Sequence, residues 1–299
     1  MMRRRAIALI LLAVLIGVST ADAQPPEESA VLVGAGDIAG CSLSGDEATA
    51  ALLDDLPGTV FTAGDNVYPS GTLDEFRHCY DPTWGRHKNR TLPALGNHDY
   101  ATKGAAGYFA YFGRRATPFG LRYYLAKRGG WNIIVLDSNI DGRIESAQGK
   151  WLRQTLAENP AACTLAIWHH PLFASHAQTD QPRDLRALWE MLYTAGADVI
   201  INGHVHAYER FAPLNPDGQP DPNGIRQFIV GTGGASLAKA PRRTHPYSEV
   251  WGVSTWGVLK LTLYPTRYEW AFIPVAGGTF TDSGSAACRL PPVLADPTR

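Results

Sequence analysis

Five times along this chain a short apolar run ends in a cluster of polar residues: Gly36-Asp37, Gly64-Asp65-Asn66-Val67-Tyr68, Gly96-Asn97-His98-Asp99, His169-His170-Pro171 and Gly203-His204-Val205-His206. Short apolar runs of this kind read as buried strands. In open α/β sheets ligands sit beyond the carboxyl ends of the strands, where loops leave the ladder and backbone geometry is free. The fold must therefore bring five such ends together if they are to act as one site. A single cluster would carry little weight, because Asp after Gly is a common turn residue and a lone His beside a strand is more often structural than a ligand.

The intervening pattern predicts the sheets. Strands over 30–34 and 59–63 flank a helix over 46–56, and segments 121–126 and 131–136 form a hairpin around a basic Gly-Gly turn. Helices over 146–158 and 183–194 alternate with strands over 164–168 and 198–201, after which the chain is mostly strand, over 227–230, 252–263 and 267–274. Alternation early and strands late predict an α/β fold, a four-layer sandwich of two mixed β-sheets flanked by helices. With 299 residues, 45% hydrophobic and 18% charged, the chain can bury one full core, so residues 24–299 are expected to form a single catalytic domain.

The start of the chain has a positive head at residues 1–5, an apolar run over 6–18 and the small-x-small site Ala21-Asp22-Ala23. That pattern predicts a signal peptide over 1–23 and a secreted or periplasmic protein with no stable membrane insertion after cleavage. Four cysteines without a Cys-x-x-Cys pair favour disulfides over a thiolate metal site in an exported chain. Cys41 and Cys79 follow segments expected to converge, while Cys163 opens a strand and Cys288 lies in a tail that must dock. Cys41 with Cys79 and Cys163 with Cys288 is the expected pairing among those that four cysteines allow. A formal net charge of -1 and a pI near 6.8 provide no broad basic face, which argues against a nucleic-acid partner. Any attraction to phosphate must be local.

Together the clusters offer carboxylate, imidazole, amide and phenol donors, a set that suits Zn, Fe or Mn better than a soft thiolate metal. Asp37, Asp65, Tyr68, Asn97, His169, His204 and His206 are more donors than one tetrahedral ion uses, and enough for two ions that share a carboxylate. His204 and His206, two apart in an extended segment, would project the same way unless the local backbone splays them. Asp65 is the natural bridge.

In this order the motifs resemble the calcineurin-like metallophosphoesterase superfamily. Tyr68, three residues after Asp65, and the run Gly203-His204-Val205-His206-Ala207-Tyr208-Glu209-Arg210 resemble its purple acid phosphatase branch, and the likeness extends over about 31–276. The resemblance implies that Asp37, Tyr68 and His206 bind a first metal, Fe(III) in that branch. Asn97, His169 and His204 would bind a second, usually Zn, Fe(II) or Mn, with Asp65 between them. It also implies catalytic roles for His98, beside the phosphate and its leaving group, and for His176, on the substrate side. In the wider superfamily a His in the first motif commonly supplies a ligand. The corresponding residue here is Ala39, so Tyr68 must complete the first site, and Asp99 stands where many members have Glu.

The implied activity is that of a secreted acid phosphatase, hydrolysing small phosphate monoesters with water that the two ions deprotonate. A phosphodiesterase or nucleotide hydrolase would use the same ligands, and an exported metal-binding module without turnover is the alternative from another class. Its weakness is His98, which a pure metal binder does not need. Tyr108, Phe109, Tyr111 and Phe112 read as core, His170 as positional, and Arg114, Arg115, Arg242, Arg243 and His245 as solvated loop residues.

Overall fold

The computed structural model describes residues 28–176 and 184–289, and the signal peptide expected over 1–23 lies outside them. One sheet has six strands, in spatial order Asp282–Ala287, Arg267–Pro274, Gly257–Tyr264, Ala30–Ala35, Thr59–Thr62 and Thr91–Leu92. The other has seven: Ser248–Gly252, Tyr208–Phe211, Arg226–Val230, Val199–Asn202, Thr164–Ile167, Trp131–Val135 and Tyr124–Arg128. Both are mixed, and the parallel strands are the ones that matter for the site. Ala30–Ala35, Thr59–Thr62 and Thr91–Leu92 run parallel as neighbours, with Ala35 opposite Thr62, and Thr164–Ile167 runs parallel to Val199–Asn202, with Ile167 opposite Ile201. The five polar clusters follow these five strands, so parallel pairing alone carries them to common edges.

Residue alternation settles which way each strand faces. Ile133, Val135, Leu165, Ile167, Val199 and Ile201 point into the core between the sheets, beside Leu259 and Leu261 of the facing sheet. The intervening Ile134, Leu136, Ala166, Trp168 and Ile200 point outward, under the helices Ala147–Glu158 and Leu185–Thr194. Leu185, Leu188, Trp189 and Leu192 supply that cover at helical spacing. Ser146 starts the other helix, its hydroxyl accepting from the Gly149 amide at 3.0 Å. Burying each large aliphatic side chain stabilises the fold by about 1.5–3 kcal/mol, and Trp168→Ala would cost about 3–5 kcal/mol.

The strand expected over 252–263 is two strands in two sheets. Ser248–Gly252 pairs with Tyr208–Phe211, whereas Gly257–Tyr264 pairs with Ala30–Ala35, and the chain crosses between the sheets over residues 253–256. Val253, Thr255 and Trp256 in the crossing are strand-forming residues and no Gly or Pro interrupts them, so the sequence does not mark it. Tyr208–Phe211 and Asp282–Ala287 are additional strands. The latter, Asp-Ser-Gly-Ser-Ala-Ala, lacks β-forming residues and is held by its ladder and by Asp282, which accepts from Tyr208 Oη at 2.7 Å and Arg210 Nε at 2.7 Å.

Both disulfides have the expected pairing, Cys41–Cys79 with Cα atoms 4.7 Å apart and Cys163–Cys288 with Cα atoms 5.5 Å apart. They fit an extracellular protein. Among the described residues no helix is long and apolar enough to cross a membrane. Tyr108, Tyr111 and Phe112 are core residues as expected, packed around Phe76 and Tyr80, with Phe109 half-buried at the margin.

Candidate metal centre

The turns that end the strands hold unusual backbone. Asp37, Asp65 and His204 have φ of 58°, 48° and 68°, and with Ala105 they are the non-glycine residues with positive φ among the described residues. Left-handed backbone costs an L-residue roughly 1–2 kcal/mol, and such strain gathers where function demands it. The loops also approach closely. A Cβ at Gly96 would lie 2.1 Å from Asp65 Oδ1, and one at Gly64, itself at φ 84°, would lie 2.6 Å from Nδ1 of His169. Only glycine lets these clusters meet.

They meet in two groups. In the first, the Tyr68 hydroxyl is 2.9 Å from Asp37 Oδ1 and 3.1 Å from His206 Nε2, which is itself 3.2 Å from Asp37 Oδ1. In the second, Asn97 Oδ1 is 3.0 Å from His169 Nε2 and 3.1 Å from His204 Nδ1. Asp65 Oδ2 reaches both, 3.1 Å from the Tyr68 hydroxyl and 3.3 Å from His169 Nε2, while Oδ1 accepts from the His98 amide at 2.8 Å. His204 and His206 thus turn to different groups, although side chains two apart in an extended segment would project the same way. The His204 backbone makes that possible, its N–H donating to Asp37 Oδ2 at 2.8 Å.

Carbonyl groups orient the imidazoles. His169 Nδ1 lies 2.8 Å from the Ala63 carbonyl and His206 Nδ1 lies 2.6 Å from that of Ser236. A carbonyl can only accept, so each Nδ1 carries a proton and each Nε2 faces the cluster, where it would offer a lone pair to a metal ion on giving up its own proton.

The electrostatics fit cations. Asp37 and Asp65 are 0% and 2% exposed. Burial pushes the Asp65 carboxyl up, yet the imidazoles of His169 and His98 hold it well below the usual carboxylate range. Burial lowers His169 and His206, but Asp65 and Asp37 respectively raise them to about 9. The positive charge facing these buried carboxylates comes from imidazolium. Metal ions among the same donors would supply it instead and would release those protons. Spacings of 2.9 to 3.2 Å within each group also fit, being near the ~3 Å between adjacent ligands of an ion with bonds of about 2.1 Å. The Tyr68 phenol, pushed well above its ordinary pKa by burial and then by Asp37 and Asp65, keeps its proton and donates it to these carboxylates.

His98 is half-buried against Tyr68, with ring centroids 4.4 Å apart, and its Nδ1–H donates to the Pro69 carbonyl at 2.7 Å. That leaves Nε2 to hold or give a proton. His170 is buried beside the second group, its Nδ1 2.8 Å from the Ser138 hydroxyl and its ring 4.5 Å from that of His204. His169, His170 and His204 can present nitrogens within 4.8 Å of one another, and burial followed by its charged neighbours keeps His170 neutral. His176 stands exposed at the end of the loop 171–176. Arg114, Arg115, Arg242 and Arg243 are exposed as expected, but His245 is not a solvated residue. Its ring packs on Phe211 and Phe173, with centroids 5.3 and 6.1 Å apart, because the 171–176 loop folds over it.

Sequence reading missed the supports. Asp99, fully buried, accepts from the Gly96 amide and from Asn66 Nδ2, both at 2.9 Å, and so closes the turn that presents Asn97 and His98. Its place in the Gly-Asn-His-Asp motif was the available signal.

Two mixed sheets that gather oxygen and nitrogen donors at the ends of their parallel strands define the class, a metallophosphoesterase-type sandwich. The chain belongs to the calcineurin-like phosphoesterase family, whose sequence model matches residues 24–208. Purple acid phosphatase 15 of Arabidopsis thaliana is 30% identical over 219 residues, 61% of this chain and 41% of that protein. The chain spans less than half the length of such curated relatives. Purple acid phosphatase PPD1 from yellow lupin seeds superposes with a TM-score of 0.66 at 20% identity, covering 87% of this chain and 54% of that one. GAP50, the anchor in the inner membrane complex of Plasmodium, also superposes at 0.66, with 13% identity over 88% and 90% of the two chains. At such identities the likeness is one of fold, and activity has to be argued from the site.

Proposed function

We propose that residues 24–299 form the single catalytic domain of a secreted, two-metal acid phosphatase that hydrolyses small phosphate monoesters, exported by a signal peptide over 1–23. The observation that carries this reading is the division of seven donors into two groups joined by one oxygen of Asp65. Asp37, Tyr68 and His206 would hold Fe(III), and Asn97, His169 and His204 would hold Zn, Fe(II) or Mn, with Asp65 shared. When bound, two such ions clamp phosphate oxygens and lower the pKa of water by many units from about 15.7. The chain's own residues do the rest. His98 gives the proton on Nε2 to the departing ester oxygen while Pro69 fixes its ring, and His176 serves the substrate side. The two disulfides support an extracellular setting.

The deciding experiment offers the metal-loaded protein p-nitrophenyl phosphate and bis(p-nitrophenyl) phosphate. The expected result is faster turnover of the monoester at acidic pH. Preference for the diester would assign a phosphodiesterase, and turnover of neither with full metal content would leave a metal-binding module.

A further inference from the structure

We propose that Glu209 is a positioning residue for the substrate side of the site, fixing through Ser175 the loop that runs from His169 to His176. The inference rests on the phosphatase reading above. Glu209 lies three residues after His206, on the strand Tyr208–Phe211. Alternation turns Tyr208 and Arg210 toward Asp282, and turns Glu209 to the opposite face with Phe211, into the core beneath the helix Leu185–Thr194. There its carboxyl is 0% exposed. A buried carboxylate is costly unless hydrogen bonds satisfy it, so an apolar residue would serve packing better.

What satisfies it, beside the Ser248 side chain of the neighbouring strand, is the loop. Glu209 Oε2 accepts from the Ser175 amide at 3.0 Å, and Oε1 accepts from the Ser175 hydroxyl. On the adjacent strand Gln227, also 0% exposed, grips the same loop, its Nε2–H donating to the Phe173 carbonyl at 2.6 Å while its Oε1 faces the Phe173 amide at 3.4 Å. The Ser175 hydroxyl in turn accepts from the His245 amide at 2.7 Å. The segment leading to His245 carries Ser236, whose carbonyl orients His206. One buried carboxylate therefore ties the loop ending in His176 to the segment that sets a proposed ligand. A loop ordered beforehand costs less when substrate binds.

The test uses the full mature chain loaded with metal, with p-nitrophenyl phosphate as probe. Glu209→Ala should raise KM on the order of tenfold and change kcat by less than about threefold, with metal content unchanged. Glu209→Gln should recover part of the loss, since its amide oxygen can still accept from Ser175. Hydrogen exchange in the peptide 171–176 should quicken in Glu209→Ala while that of Val199–Asn202 stays slow. If Glu209→Ala does not fold, Ser175→Ala removes the hydroxyl link alone and should still raise KM. Wild-type turnover with KM unchanged in Ser175→Ala and in any folded Glu209 variant overturns this inference alone. A metal-loaded wild type without phosphatase turnover overturns the proposed function, and this inference with it.

Discussion

The phenol oxygen of Tyr68 lies 2.9 Å from Oδ1 of Asp37, although the two residues are 31 apart in sequence. A short parallel ladder brings them together, pairing Ala39 with Val67 and Gly40 with Tyr68. Ala39 is fully buried in that ladder and its methyl group has no ligand atom to offer.

A phenolate bound to Fe(III) absorbs visible light by charge transfer, whereas Zn or Mn at the same place would leave the protein nearly colourless. Purified from an iron-replete host, the protein should be purple to pink. Tyr68→Phe should bleach it. An unchanged visible band with full iron in Tyr68→Phe would remove Tyr68 from the ligands.

His204→Ala and Asp65→Ala should each abolish phosphatase activity and lower bound metal by at least one equivalent while the chain stays soluble and folded. Asp65 should cost more metal than His204, because its Oδ2 touches both groups whereas His204 Nδ1 meets only the second. Elemental analysis of the purified variants checks this. Equal metal content and wild-type turnover in either would refute the two-metal assignment.

The candidate site was legible because its residue types and order are dictated by chemistry. Oxygen and nitrogen donors must follow strands, and glycine must precede them where loops approach to within a van der Waals contact, as at Gly64 and Gly96. The pairing of Cys163 with Cys288 was legible for a similar reason, a strand start and a tail that has to dock. The left-handed backbone at Asp37, Asp65 and His204 was not, since it arises from loops distant in sequence that close on one another. Nor were the roles of Asp99, which accepts from the Gly96 amide and Asn66 Nδ2, and of Glu209, which accepts from the amide and hydroxyl of Ser175, because these contacts form only once the loops close. The split near residues 253–256 was hidden because apolar strands in different sheets read as one run.

His98→Ala should leave metal content near wild type and slow turnover on the order of 10²–10⁴-fold, the usual loss for a positioned acid. Its amide anchors Asp65 and survives the substitution, so the ligand set should persist while the proton on Nε2 disappears. The slowing should be smaller for p-nitrophenyl phosphate than for an alkyl phosphate, because a good leaving group needs less protonation. Equal slowing with both esters would move His98 from acid to substrate binding.

Asp198 links stability to pH away from the site. Only 4% exposed, it accepts from the Thr164 amide through Oδ2 at 2.8 Å and from the Arg289 amide through Oδ1 at 2.5 Å, beside the Cys163–Cys288 bridge. Burial pushes its pKa from 3.8 up to about 7, against the lowering pull of those amides and of the Arg289 guanidinium. Between these two values the folded chain holds a proton that the unfolded chain has released. Stability contributed by Asp198 is therefore full below the unfolded pKa and declines as pH rises toward the folded one. Asn cannot ionise, so the stability of Asp198→Asn relative to wild type should increase from pH 5 to pH 8, read as the difference in urea unfolding free energy. Taking the difference cancels other acids, Asp99 among them. A difference that stays constant would mean that the two amides and Arg289 keep Asp198 ionised throughout, and that burial is the weaker influence on it.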